Sequence, residues 1–89
     1  MKYKLFRVSN YKRSFKKIRL SDEEELIYIE ILYKLLNDEL LEERYKDHQL
    51  KGNFEGCREC HIKPDLLLIY KIKDETLELL DIGSHSELF

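Results

Sequence analysis

The stretch CRECHIKPDLLLIYKIKDETLELLDI, residues 57–82, decides the fold. At its centre Leu66-Leu67-Leu68-Ile69-Tyr70 is apolar at five consecutive positions. A strand with one wet face alternates apolar and polar residues, so a run without alternation needs cover on both faces and belongs in the middle of a sheet. Two further strand-like runs flank it, Cys57 to Ile62 and Leu77 to Ile82, separated from it by the turn signals Lys63-Pro64-Asp65 and Lys73-Asp74-Glu75. Connections this short join antiparallel neighbours, and the stretch reads as a three-stranded meander.

Upstream, Arg44 to Asn53 has no helical period, ends in a Gly-Asn turn signal and reads as a surface loop. Before it, Ser21-Asp22-Glu23-Glu24 has the form of a capping box, with acids at 22–25 suited to the positive end of a helix dipole. The predicted helix runs through Leu26, Ile27, Ile29, Ile31, Leu32, Leu35 and Leu36 to Leu40 and Leu41 and is the central packing helix. Ser9-Asn10 offers a cap for an earlier helix whose apolar positions are Tyr11, Phe15 and Ile18 and whose outer face is Lys12, Arg13, Lys16, Lys17 and Arg19. Tyr3, Leu5, Phe6 and Val8 make a short opening strand. The order is an N-terminal strand, a two-helix hairpin and the meander. It implies one α+β domain over residues 1–89, with the helices on one sheet face and the other face open for a site.

Charge is segregated along the chain. Residues 1–20 carry eight Lys or Arg and no acid, residues 21–43 nine acids against Lys34, and residues 44–73 seven bases against four acids. The net charge of −2 does not by itself suggest a polyanion partner, but two basic zones flanking an acidic one provide surfaces on which phosphates can sit. There is no apolar run of the roughly 18 residues that a membrane span needs, and MKYKLFRVSN has too short an apolar stretch for a secretory signal. A cytoplasmic protein with reduced thiols is expected.

Cys57-Arg58-Glu59-Cys60-His61 matches CxxCH, the attachment sequence of c-type haem. In a strand, positions three apart point to opposite faces with backbones about 10 Å apart, which suits neither haem, a disulfide nor a zinc clip. No haem, metal or other cofactor is expected. The same alternation sets Cys57, Glu59 and His61 on one face and Arg58, Cys60 and Ile62 on the other, so the apolar pair faces the helices and His61 the open side.

Four segments carry a resemblance: Tyr45-Lys46-Asp47-His48-Gln49-Leu50-Lys51-Gly52, Arg58-Glu59-Cys60-His61-Ile62-Lys63-Pro64-Asp65, Leu68-Ile69-Tyr70-Lys71 and Gly83-Ser84-His85-Ser86-Glu87-Leu88-Phe89. In this order they resemble the YafQ-like branch of the RelE/ParE superfamily over residues 45–89, while the N-terminal half agrees in its strand-helix-helix pattern. The resemblance implies the toxin of a two-gene toxin–antitoxin system, a ribosome-dependent endoribonuclease that cuts mRNA and is held in check by a cognate antitoxin. It carries over His48, His61, Asp65 and His85 as catalytic positions and Phe89 as a residue that packs on a base. Cleavage through the 2′-hydroxyl needs a base for that hydroxyl, an acid for the departing 5′-oxygen and positive charge on the phosphate, and histidine can do both proton tasks near neutral pH. On this reading His85 is the acid, His48 or His61 the base, and Asp65 orients or serves as an alternative base. Family members commonly carry an arginine two residues before Gly83, where this chain has Asp81. Positive charge is then expected from Lys46, Lys51, Lys63, or Arg58 if its strand is bulged. The alternative class is a toxin-fold protein that binds antitoxin or RNA without cutting.

Overall fold

The structure, a computed structural model, describes residues 1–89. Its centre is the predicted one. Strand β4 (Leu66–Lys73) is third in a five-stranded sheet of order β1-β5-β4-β3-β2, and Leu66 to Tyr70 are all buried. It pairs antiparallel with β3 (Arg58–Lys63) and β5 (Thr76–Gly83), which completes the meander. The opening strand β1 (Lys4–Arg7) lies parallel to β5, with Lys4 opposite Thr76, and forms one edge.

Two bulges adjust the alternation. One sets Leu80 opposite the Ile69–Tyr70 step, which lets Leu77, Leu79 and Ile82 all enter the same core although their spacing breaks period two. The other falls between His61 and Lys63, after Cys60 and Ile62 have joined that core.

The helices cover the core face. Helix α1 (Ser9–Phe15) starts one turn position earlier than its predicted cap allows, because the extended Val8 is the N-cap residue and no side chain caps it. The helix also stops before Ile18, which packs on the core from the segment beyond it. Tyr11 is fully buried, stacks on Phe15 and shares a hydrogen bond with the Tyr28 hydroxyl; burial pushes the Tyr11 phenol well above its ordinary range. Helix α2 (Asp22–Leu36) opens with the predicted capping box: the Glu24 N–H donates to the Ser21 hydroxyl (3.1 Å) and the Ser21 N–H to the Glu24 carboxylate (2.9 Å).

The expected continuation of α2 to Leu41 fails. Asp38 takes a left-handed conformation (φ 59°), Asn37 donates back to the Tyr33 carbonyl, and the amides of Lys2 and Tyr3 take the Leu36 carbonyl. Leu40, beyond this stop, is 92% exposed. The apolar breadth of α2 also overstates its burial, since only Ile31, Leu35 and Leu36 are buried while Leu26, Ile29 and Tyr33 face outward.

Residues 44–53, read as loop, contain more order than that. A 3-10 turn at Glu43–Tyr45 buries Tyr45, strand β2 (His48–Gln49) adds a fifth strand on the outer edge of β3, and a second 3-10 turn spans Gly52–Phe54. A two-residue strand is too short to carry an alternation signal. The C-terminal segment, read as an irregular close, forms the one-turn helix α3 (His85–Leu88) behind a second capping box between Ser84 and Glu87. A Cβ at Gly83 would sit 3.0 Å from the folded-back Glu87 carboxylate, so a larger residue there requires that carboxylate to give by a few tenths of an ångström.

Candidate active site

The face away from the core cluster has its own floor. Leu67 and Ile69 are buried yet lie outside that cluster. Across the three central strands His61 pairs with Leu67 and Leu67 with Gly83, and directly paired residues share a face. Two strand spacings, about 10 Å, would separate the His61 and Gly83 positions. Helix α3 closes this gap, because Ser84 and the His85 turn fold back from the end of β5 and bring the His85 ring to 6.2 Å from that of His61, edge to face at 62°. Asp65, in the turn between β3 and β4, accepts from the His85 backbone N–H (3.2 Å) and so anchors the first turn of α3. The Phe89 ring lies 5.7 Å from His85 and 5.3 Å from Phe54, which meets it edge-on.

His61, Asp65, His85 and Phe89, contributed by a strand, a turn, a one-turn helix and the chain end, are thus one group. His48 belongs to a second, adjoining group. It stands opposite Glu59 across β2 and β3, and Glu59 shares the face of His61 two residues on. The His48 Nδ1 lies 2.6 Å from the Lys46 carbonyl, and its Nε2 3.0 Å from the Glu59 carboxylate. A carbonyl only accepts, so this contact makes Nδ1 the donor, and Nε2 is directed at the Glu59 carboxylate; both ring nitrogens are engaged. The left-handed conformation of Lys46 (φ 50°) turns its carbonyl onto the ring.

Glu59 is 4% exposed, and its second oxygen has no partner. Neither Glu59 nor Phe54 was singled out from sequence. Strand alternation puts Glu59 beside His61, and its burial under a two-residue strand is the fact that alternation does not supply. Phe54 lies in an aperiodic loop that gives no signal.

The proposed cations are dispersed. Arg58 is not turned toward the histidines, because the bulge in β3 falls after His61. Its guanidinium remains with the core-facing Tyr70, where both Arg58 (3.2 Å) and the Tyr70 hydroxyl (2.6 Å) donate to Asp47. Burial lowers the Arg58 pKa, but the bonds to Asp47 and Tyr70 outweigh it and leave the group above its ordinary value. Lys63 pairs with Glu24 at the start of α2 (3.1 Å), while Lys46 and Lys51 are exposed without an ion pair. Asp81 is held by α1: its Oδ1 accepts from the Ser14 hydroxyl (2.7 Å) and the Ile82 amide (2.9 Å). No three His, Cys, Asp or Glu side chains converge as a metal site requires.

A sheet backed by two helices, with histidines gathered over its other face by a short C-terminal helix, is a toxin fold of the RelE-like kind. It superposes on a copper-bound mutant toxin from Helicobacter pylori with a TM-score of 0.89 at 40% identity, covering 98% of this chain and 99% of that one. The same holds for the Escherichia coli DinJ-YafQ toxin-antitoxin complex, with a TM-score of 0.79, 33% identity and coverage of 100% and 99%. The mRNA interferase toxin YafQ of Escherichia coli strain K12 is 42% identical over 72 residues, 80% of this chain and 76% of the relative. The family model for the bacterial toxin of type II toxin-antitoxin system, YafQ, matches residues 3–89, and the chain belongs to that family.

Proposed function

We propose that this toxin is a ribosome-dependent endoribonuclease that cuts mRNA through the 2′-hydroxyl without a metal. The observation that carries the reading is the facing pair His61 and His85, two imidazoles at 6.2 Å on an open face, the arrangement that a base and an acid on either side of one phosphate require. His61 takes the proton from the 2′-hydroxyl, whose oxygen attacks phosphorus. The bond to the 5′-oxygen breaks, and that oxygen leaves with a proton from His85. A 2′,3′-cyclic phosphate and a 5′-hydroxyl remain.

His48, with both ring nitrogens engaged, is better suited to positioning the strand beside the phosphate than to serving as base. Asp65 holds α3, and with it His85, in position. Phe89, 55% exposed, offers a face on which a base stacks. Of the dispersed lysines, Lys46 and Lys63 border the same cleft as His61 and take the part of the arginine that Asp81 replaces, whereas Lys51 lines another cavity. The protein works where ribosomes are, in the cytoplasm. A cognate antitoxin silences it by covering the histidine face or the basic side of α1.

The test is primer-extension mapping of a translated messenger after brief induction, without antitoxin, of the wild type and of His85→Ala. New 5′ ends with the wild type alone support cleavage, and a loss of roughly 10²-fold or more is expected in the variant. A second reading, binding without cutting, draws on Asp81. Absence of 5′ ends with folded wild type favours it, and their appearance in Asp81→Arg alone would identify the missing charge as the cause.

A further inference from the structure

We propose that a cleft of about 360 Å³ beside His61 seats one nucleoside of single-stranded RNA, the one next to the phosphate that is cut. This rests on the RNA-cleaving reading of the histidines and adds a place where sequence is read. The cleft exists because β2 is so short. It pairs with β3 only at Arg58 and Glu59, so the outer edge of β3 from His61 to Lys63 has no strand partner, and the cleft opens against that edge. Backbone groups at a free strand edge can hydrogen-bond a base as they would another strand.

Size, lining and charge agree on the occupant. The volume is at the lower end of the range of small-ligand pockets, enough for a single nucleoside. Ile27, Ile62 and Pro64 contribute apolar surface for the flat faces of a base. Arg44, Lys46 and Lys63 supply cations around it. Lys46 has no ion pair; Arg44 pairs with Glu42 (2.8 Å) and Lys63 with Glu24 (3.1 Å), both at positions wet enough for phosphate to displace the carboxylate. An acidic peptide would satisfy the cations too. His61 favours RNA, because it lines the cleft and also faces His85, so a strand crossing the cut site runs into the cleft.

The test is fluorescence anisotropy of a labelled 2′-O-methyl RNA hexamer, which cannot be cut through its 2′-oxygen, titrated with the full chain. Arg44→Glu with Lys46→Glu should weaken binding at least about tenfold and flatten the salt dependence, by about 0.7 in log–log slope for each phosphate no longer neutralised. Lys4→Glu with Lys73→Glu makes the same charge change at exposed positions outside the cleft and should cost less than about twofold. Equal loss in the two double variants, no loss in either, or no binding by the wild type overturns the proposal. So does an oligoglutamate peptide that binds at the cleft while the RNA does not. Because the hexamer is never cut, these outcomes are independent of whether the histidines cleave.

Discussion

Glu59 sits where a carboxylate is costly, 4% exposed with one oxygen unpartnered, and its one partner is His48. A buried acid holding a histidine whose other nitrogen is already tied is an arrangement that orients the ring. Glu59→Gln keeps the shape and removes the charge. Cleavage should fall at least about tenfold, while thermal stability stays level or rises because a buried carboxylate with one oxygen unpartnered is gone. Single-turnover cleavage alongside melting curves would check both, and unchanged cleavage would remove Glu59 from the mechanism. At this scale the sequence was informative only in part. His48, His61, Asp65, His85 and Phe89 stood out because a resemblance marked them. Glu59 did not, because its meaning lies in what covers it, and Arg58 keeps the core-side face that alternation gives it because the bulge that could have turned it falls after His61.

Among the elements, both helices that open on Ser-x-x-Glu carry a complete capping box, yet only the one before a long apolar run was legible. The signature at Ser84 to Glu87 precedes a single turn, too short to show a period. Both carboxylates lie below their ordinary value of 4.5, Glu24 chiefly through the Ser21 backbone N–H and then Lys63, Glu87 chiefly through the Ser84 backbone N–H. A lowered folded value means that the stabilisation is present above the unfolded pKa and is lost as pH falls through the folded one. Wild-type stability should therefore drop as pH falls below about 4.5. Glu24→Gln with Glu87→Gln, which keeps both caps as hydrogen bonds, should drop less. Parallel melting curves of the two proteins across that range would refute this. The overlong α2 of the sequence reading has a similar lesson: Asn37 and Asp38 stop the helix through a backbone conformation and two amides of the N-terminal segment, and no local pattern reports the latter.

At the scale of the molecule, the acidic zone of the chain meets both basic ones, through Lys2 with Asp38 and Lys63 with Glu24, but leaves the cations of α1 and the segment after it unpaired. Lys12, Arg13, Lys16, Lys17 and Arg19 are all exposed, and none takes part in an ion pair. Unpaired cations on one surface are the footprint of a phosphate-rich partner, and ribosomal RNA is the one the proposed function supplies. Lys12→Glu with Lys16→Glu should lower co-sedimentation with ribosomes and make the remainder less sensitive to salt; undiminished association would exclude this face. The antiparallel meander was legible because turn signals and an unbroken apolar run are local features. The parallel pairing of β1 with β5 was not, because it joins residues from opposite ends of the chain. That pairing also sets an order of events during synthesis. The first strand leaves the ribosome early but takes its hydrogen bonds from the last, and His85 and Phe89 follow that last strand. Sheet and site are therefore completed only once β5 and the turn of helix behind it have emerged, and until then the opening strand waits without its partner.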